Sequence, residues 1–148
     1  MSFLESKEIM QLAIVVKDIE AAAKNYAALF GMEVPNIRNV FPKITYRGEK
    51  VEPKARICSF KMGAVSLELV EPDEIGSSWK EYLDAHGEGV HHMAVLVKDR
   101  DKALTTLAEH GIEKRQYGGA AWGSYTFMDS EEKLGVVLSI KCDTPFDE

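Results

Sequence analysis

The sequence predicts an α+β fold of two tandem strand–helix–strand–strand–strand modules forming a cup-shaped, mostly antiparallel sheet. Three observations carry this. Gln11-Leu12-Ala13-Ile14-Val15-Val16-Lys17-Asp18 returns 81 positions later as His92-Met93-Ala94-Val95-Leu96-Val97-Lys98-Asp99. Each copy leads into apolar residues spaced by three and four, and each stripe ends at a glycine, Gly31 or Gly111. Short alternating segments then follow in both halves, as strands with one buried face require. A repeat of this length changes the reading of the whole chain.

Residues 1 to 8 read as a lead-in, and residues 9 to 17 as a strand. Asp18 caps a helix whose stripe is Ile19, Ala22, Ala23, Tyr26 and Phe30. Pro35, Pro42, Gly48 and Pro53 make residues 35 to 53 the least regular stretch. It is either an insertion over a pocket or a plain surface loop. Residues 55–62 and 64–71 form a hairpin around Gly63. Val65, Leu67 and Leu69 share one face of its second strand, and Ser66, Glu68 and Val70 the other. Pro72, Gly76 and the serines mark a linker, with Trp79, Tyr82 and Leu83 on one face of a short helix.

The second half repeats the plan. A strand runs from 91 to 97, and a helix follows Asp99 with Ala103, Leu104, Leu107 and Ala108 inward. Strands are expected at 112–117, 123–129 and 135–141, with turns at Gly118-Gly119 and at Asp129-Ser130-Glu131-Glu132. The expected organisation is one domain over 1–148. Its first module spans 8–72, a linking helix 73–90 and the second module 91–142.

The 148 residues carry a formal net charge of -6, with no basic cluster dense enough to follow a phosphate backbone. This argues against nucleic-acid binding. Cys58 and Cys142 make no disulfide framework and read as buried thiols in a reducing, cytoplasmic setting. No run nears about 18 apolar residues, so no membrane span is expected.

Gln11 falls on His92 in the repeat, and Glu68 falls on Ser139 when the last strands are laid on each other. All four are polar residues in apolar strands. Duplicated modules bring equivalent positions together near their axis. A histidine, a carboxylate and an amide in one concavity are ligand types for a divalent metal, a Lewis acid for a carbonyl or enolate oxygen. His91, next to His92 on a strand, is expected to point the other way. Trp122, Tyr125 and Phe127 read as packing before they read as a substrate platform.

The motifs Leu12-Ala13-Ile14-Val15-Val16-Lys17-Asp18, Leu67-Glu68-Leu69-Val70-Glu71-Pro72, Gly89-Val90-His91-His92-Met93-Ala94 and Gly135-Val136-Val137-Leu138 carry a resemblance. Across residues 8 to 142 the chain resembles the vicinal oxygen chelate superfamily of glyoxalase I, methylmalonyl-CoA epimerase, extradiol dioxygenases and bleomycin-resistance proteins. The Gly-x-x-His-Met-Ala form is nearest methylmalonyl-CoA epimerase. The resemblance implies that Gln11, Glu68 and His92 hold a divalent ion (Zn, Ni, Co or Mn). It departs at Gln11, commonly His, and at Ser139, normally Glu and often also a proton-transfer base. Glu68 and a loop carboxylate remain as catalytic candidates. Glu49 or Glu52 lies where the epimerase carries a further acid/base glutamate, and Glu49 is taken here.

The implied function is an isomerase or lyase of epimerase or glyoxalase I type, stabilising an enediolate formed next to a carbonyl or thioester. The half-changed ligand set motivates an alternative, a metal-free binding protein of the bleomycin-resistance kind. Extradiol chemistry wants two histidines in register, and only one is present. The expected partner is a small-molecule substrate, and a homodimer is expected because half-barrels have edges to cover. Ser139 is expected on the cavity rim, and His92→Ala is expected to remove activity with little loss of stability.

Overall fold

A computed structural model describes residues 3–147. Its strands are β1 (Gln11–Val15), β2 (Arg38–Val40), β3 (Ile44–Tyr46), β4 (Glu49–Val51), β5 (Ala55–Met62), β6 (Val65–Pro72), β7 (Gly89–Val97), β8 (Lys114–Ala120), β9 (Gly123–Met128) and β10 (Val137–Cys142). The helices are α1 (Ile19–Phe30), α2 (Ser78–His86), α3 (Arg100–Glu109) and α4 (Glu131–Leu134).

The strands form one ten-stranded sheet in the order β2-β5-β6-β1-β7-β10-β9-β8-β3-β4. The repeat explains the order. β1 and β7 pair antiparallel at the centre, and each has its module's last strand parallel on its other side, β6 and β10. The two helices after the repeat are capped alike. Asp18 accepts from the Ala21 N–H and Asp99 from the Lys102 N–H, both at 3.1 Å. Gly31, at φ 64, ends α1 in the left-handed conformation that glycine adopts without strain.

The β3–β4 hairpin breaks the symmetry and closes the cup. It lies in sequence between β2 and β5, but β3 pairs with β8 at the far end of the sheet. Eight strand spacings of about 4.8 Å would part β2 from β3 by about 38 Å in a flat sheet. Only residues 41–43 join them, a link that reaches about 14 Å when extended. The sheet therefore curls until its ends nearly meet, and the irregular stretch is an insertion over a pocket.

α1 and α3 cover the outer face. Ile19 and Ala23 of α1 pack with Phe60, Leu67 and Leu69. Ala103 and Leu107 of α3 pack with Val95, Leu138 and Ile140. α2 fills part of the inside, with Trp79 among Val15, Ile44, Val70, Phe127 and Val137.

The structure corrects several local readings. Phe30 is largely exposed, and the buried stripe of α1 is Ile19, Ala23 and Ala27. Gly118-Gly119 is strand, not turn. A Cβ at Gly119 would fall 2.5 Å from the Gly123 carbonyl, so these glycines serve close backbone approach. The acidic cluster after Asp129 is the short helix α4. The edge strands β2 and β4 have three residues each, which blunts an edge without a partner. Cys58 and Cys142 are buried free thiols, as expected. Among the described residues, no helix is long and apolar enough to cross a membrane.

A candidate active site on the inner face of the cup

Four adjacent strands present the four polar positions. Register places Glu68 of β6 and His92 of β7 on either side of Ala13 in β1, with Gln11 two residues before it. Ser139 of β10 lies beyond, opposite Ala94. Gln11 Nε2 donates to Glu68 Oε2 at 3.2 Å, and His92 Nε2 lies 3.1 Å from Gln11 Oε1. All three line a cavity of about 460 Å³ with Arg38, Trp79 and Lys141 on its walls.

Ser139 is fully buried rather than on the rim, and its hydroxyl has no hydrogen-bond partner. Glu49 is exposed on β4, the last strand, and is not a lining residue; Glu52 is also exposed and pairs loosely with Lys43 at 3.9 Å. Tyr125, Phe127 and Trp122 do line the cavity, so their readings as packing and as platform overlap.

His91 departs from strand alternation. The β1–β7 register shifts between Ala13 and Ile14, so an extra residue enters β7 beside His92. Such a bulge re-aims a side chain. Both imidazoles consequently pack against Phe127, His91 edge-on at 5.0 Å and His92 tilted at 4.6 Å, and meet Nδ1 to Nδ1 at 2.8 Å. β8 has a matching irregularity between Lys114 and Gln116. Arg115 there reaches Ser78 Oγ at 3.4 Å, and Ser78 Oγ lies 2.9 Å from His91 Nε2. Arg115 and Ser78 were not found from sequence, since a bulge leaves no mark in a hydrophobic pattern.

These contacts form one directed chain. Burial, reinforced by the Arg115 charge, holds His91 down to about 3, and burial holds His92 well below its ordinary 6.5. Both rings are therefore neutral, and each donates one N–H. Gln11 gives its N–H to Glu68, so its oxygen accepts from His92 Nε2–H. His92 Nδ1 then accepts from His91 Nδ1–H, and His91 Nε2 accepts from the Ser78 hydroxyl. Arg115 donates to Ser78 and is itself held by Asp129 at 2.5 Å and Glu131 at 2.6 Å. Every bond runs from the guanidinium towards the Glu68 carboxylate.

Glu68 is pushed up from the ordinary carboxylate range, chiefly by burial; Lys141, Arg38 and the Gln11 hydrogen bond oppose that rise. Burial also raises the Tyr125 hydroxyl, which accepts from Gln116 Nε2 at 3.1 Å and keeps its own proton to donate.

A family model described as glyoxalase/bleomycin resistance protein/dioxygenase superfamily matches residues 10–127. An uncharacterized protein, YqjC, of Bacillus subtilis (strain 168) is 29% identical over 100 residues, covering 66% of this chain and 71% of its own. The structure resembles the methylmalonyl-CoA epimerase of Mycobacterium tuberculosis at TM-score 0.65 and 19% identity, over 98% of this chain and 93% of that one. A single-residue variant of the Streptomyces coelicolor methylmalonyl-CoA epimerase, in complex with 2-nitronate-propionyl-CoA, matches at TM-score 0.64 and 23% identity, over 95% and 97%. The hypothetical protein BH1468 of Bacillus halodurans C-125 matches at 0.67 and 18%, over 95% and 97%. At these identities the structural likenesses establish the fold.

Proposed function

Because the chain belongs to the glyoxalase/bleomycin resistance protein/dioxygenase superfamily, we propose that its cup is the active site of an isomerase or lyase that moves a proton next to the carbonyl or thioester of a small molecule. The supporting observation is Glu68, among the described residues the one carboxylate lining the cavity, which burial raises above the ordinary carboxylate range and so makes a stronger base. Gln11 holds one Glu68 oxygen and leaves the other free to take a proton. When the substrate C–H bond breaks, its electron pair moves onto the carbonyl oxygen. Lys141 and Arg38 then offset that charge in a partly dehydrated site.

The donor set also fits a divalent ion. The donor atoms would be Gln11 Oε1, a Glu68 oxygen and His92 Nε2, gathered around the Gln11 amide by contacts of 3.2 and 3.1 Å; to ligate, His92 Nε2 would give up the proton it shares with Gln11. The buried, unpartnered Ser139 hydroxyl is a fourth polar group on the same face of the sheet. Gln11, Glu68 and His92 would hold the ion. When bound, it supplies Lewis-acid polarisation of a carbonyl. A homodimer belongs to the same proposal.

One observation favours the second reading, a metal-free binding protein. Among the described residues a single carboxylate faces Lys141 and Arg38, so their charges make the cup net positive. Proton NMR in D2O, with methylmalonyl-CoA and phenylpyruvate as probes, tests the first reading. Loss of the α-proton signal with the native chain but not with Glu68→Gln supports it. Equal exchange in both proteins removes Glu68 from its role, and binding without exchange favours the second reading.

A further inference from the structure

Arg38 and Lys141 make no hydrogen bond or ion pair among the described residues, yet both line the cavity. Arg38 shares the inner face of β2 with Val40, and Lys141 shares the inner face of β10 with Ser139. They therefore approach from opposite sides of Glu68, and their charges reach it without a direct contact. Arg38 is exposed and Lys141 half-buried, so both charged heads stay open to a ligand that enters the cavity from solvent.

The walls between them are aromatic. Phe127, Tyr125, Trp79 and Trp122 all face the cavity. Trp79 is 4% exposed, and its indole N–H is buried without an acceptor. Indole nitrogen is a donor only, and the Tyr125 hydroxyl has a proton to give. The cup thus offers two cations, the Tyr125 hydroxyl and flat apolar walls, together with the Glu68 carboxylate. At about 460 Å³ it takes a drug-sized molecule or smaller.

We infer that the ligand of this cup is a small anionic molecule carrying an aromatic or similarly flat apolar group, its anion held between Arg38 and Lys141 and its flat group against Trp79, Tyr125 and Phe127. This deepens the proposed function by naming the substrate class, and it rests on that reading only for the proton transfer.

The test uses phenylpyruvate, its uncharged methyl ester and pyruvate, followed by calorimetric titration of the full chain. Phenylpyruvate is expected to bind at least about tenfold more tightly than either of the others, since each lacks one half of the recognised chemistry. Lys141→Met and Arg38→Met should each weaken phenylpyruvate at least about fivefold and leave the ester within about twofold. Lys141→Arg should keep most of the affinity, and melting curves establish that each variant is folded. Equal binding of acid and ester, binding of neither, or equal losses for both in the methionine variants overturns the inference. Proton exchange on the ester with no preference for the acid would leave the proposed function standing and remove this inference. Selective binding of the acid without exchange would do the reverse.

Discussion

The imidazoles of His91 and His92 meet Nδ1 to Nδ1 at 2.8 Å, although neighbours on a regular strand point to opposite faces of the sheet. The bulge in β7 makes this contact, and the contact gives His92 its tautomer. Its Nε2 carries the proton toward Gln11 because its Nδ1 is occupied by His91. Both rings are buried, and neither protonates without losing a bond in the chain.

A dependence of stability on pH follows. Both histidines are held below their ordinary 6.5, His91 to about 3. Their contribution is present above about 6.5 and is lost as pH falls toward 3, because the unfolded chain takes up protons that the folded chain refuses. Each contributes a slope approaching 1.4 kcal/mol per pH unit in that window. Glu68 has the opposite sign: raised in the fold, it favours the folded state below its ordinary 4.5 and loses that contribution as pH rises through its folded value. Urea midpoints should therefore fall from pH 7 to pH 5, and His91→Asn should have about half the slope. A midpoint flat across that range would contradict the neutral pair.

His92→Ala should destabilise the protein, contrary to the expectation from sequence. His92 is 1% exposed and packs on Phe127 at 4.6 Å. Truncation leaves a void, an unpaired Gln11 oxygen and an unpaired His91 N–H. The cost should be about 2–4 kcal/mol, read from denaturant unfolding. A cost under about 1 kcal/mol would mean that the chain from Arg115 to Glu68 carries little stability.

The link across the cup should matter more for binding than for stability. Arg47 and Tyr46 of the β3–β4 hairpin both reach Glu81 of α2, each at 2.6 Å. Arg47 and Glu81 are 47% and 38% exposed, so water screens much of the pair. Arg47→Ala should cost no more than about 1 kcal/mol. It should loosen the hairpin and, with it, the preceding link whose Phe41 and Pro42 line the cavity. Hydrogen exchange in residues 44–46 should speed up, and ligand affinity should fall severalfold. Unchanged exchange would show that pairing with β8 holds the hairpin by itself.

The repeat made the architecture legible. Alternation in β6 placed Glu68 on the inner face, and the alignment of copies paired Gln11 with His92, which the structure joins at 3.1 Å. The closing of the cup was not legible, because residues 38–53 hold three-residue strands too short to show a period. The same limit hid Arg38, whose place inside the cup depends on β2 pairing with β5. The bulges at His91 and Arg115 were invisible for a different reason. Alternation assumes that register never slips, and both residues matter because it does.

Ser139→Glu tests the four-position site directly. Ser139 shares a sheet face with Lys141 and stands opposite Ala94 in the register that carries His92. Its hydroxyl is buried and unpartnered, so Ser139→Ala should be neutral or slightly stabilising and should leave metal binding unchanged. A glutamate there supplies the second carboxylate that the charge balance lacks. Divalent affinity, titrated with Mn(II) and Ni(II), should rise at least about tenfold, or roughly 1.4 kcal/mol. Without metal the variant should be less stable, because two carboxylates then share a poorly hydrated cup and the site was filled by a smaller side chain. Lys141 offsets part of that cost, so Ser139→Glu with Lys141→Met should be the least stable without metal and the most strongly rescued by it. Ser139→Asp, smaller by one methylene, separates crowding from charge. If neither carboxylate variant gains metal affinity while both remain folded, Ser139 does not converge with Gln11, Glu68 and His92, and the metal-free binding reading becomes the better one.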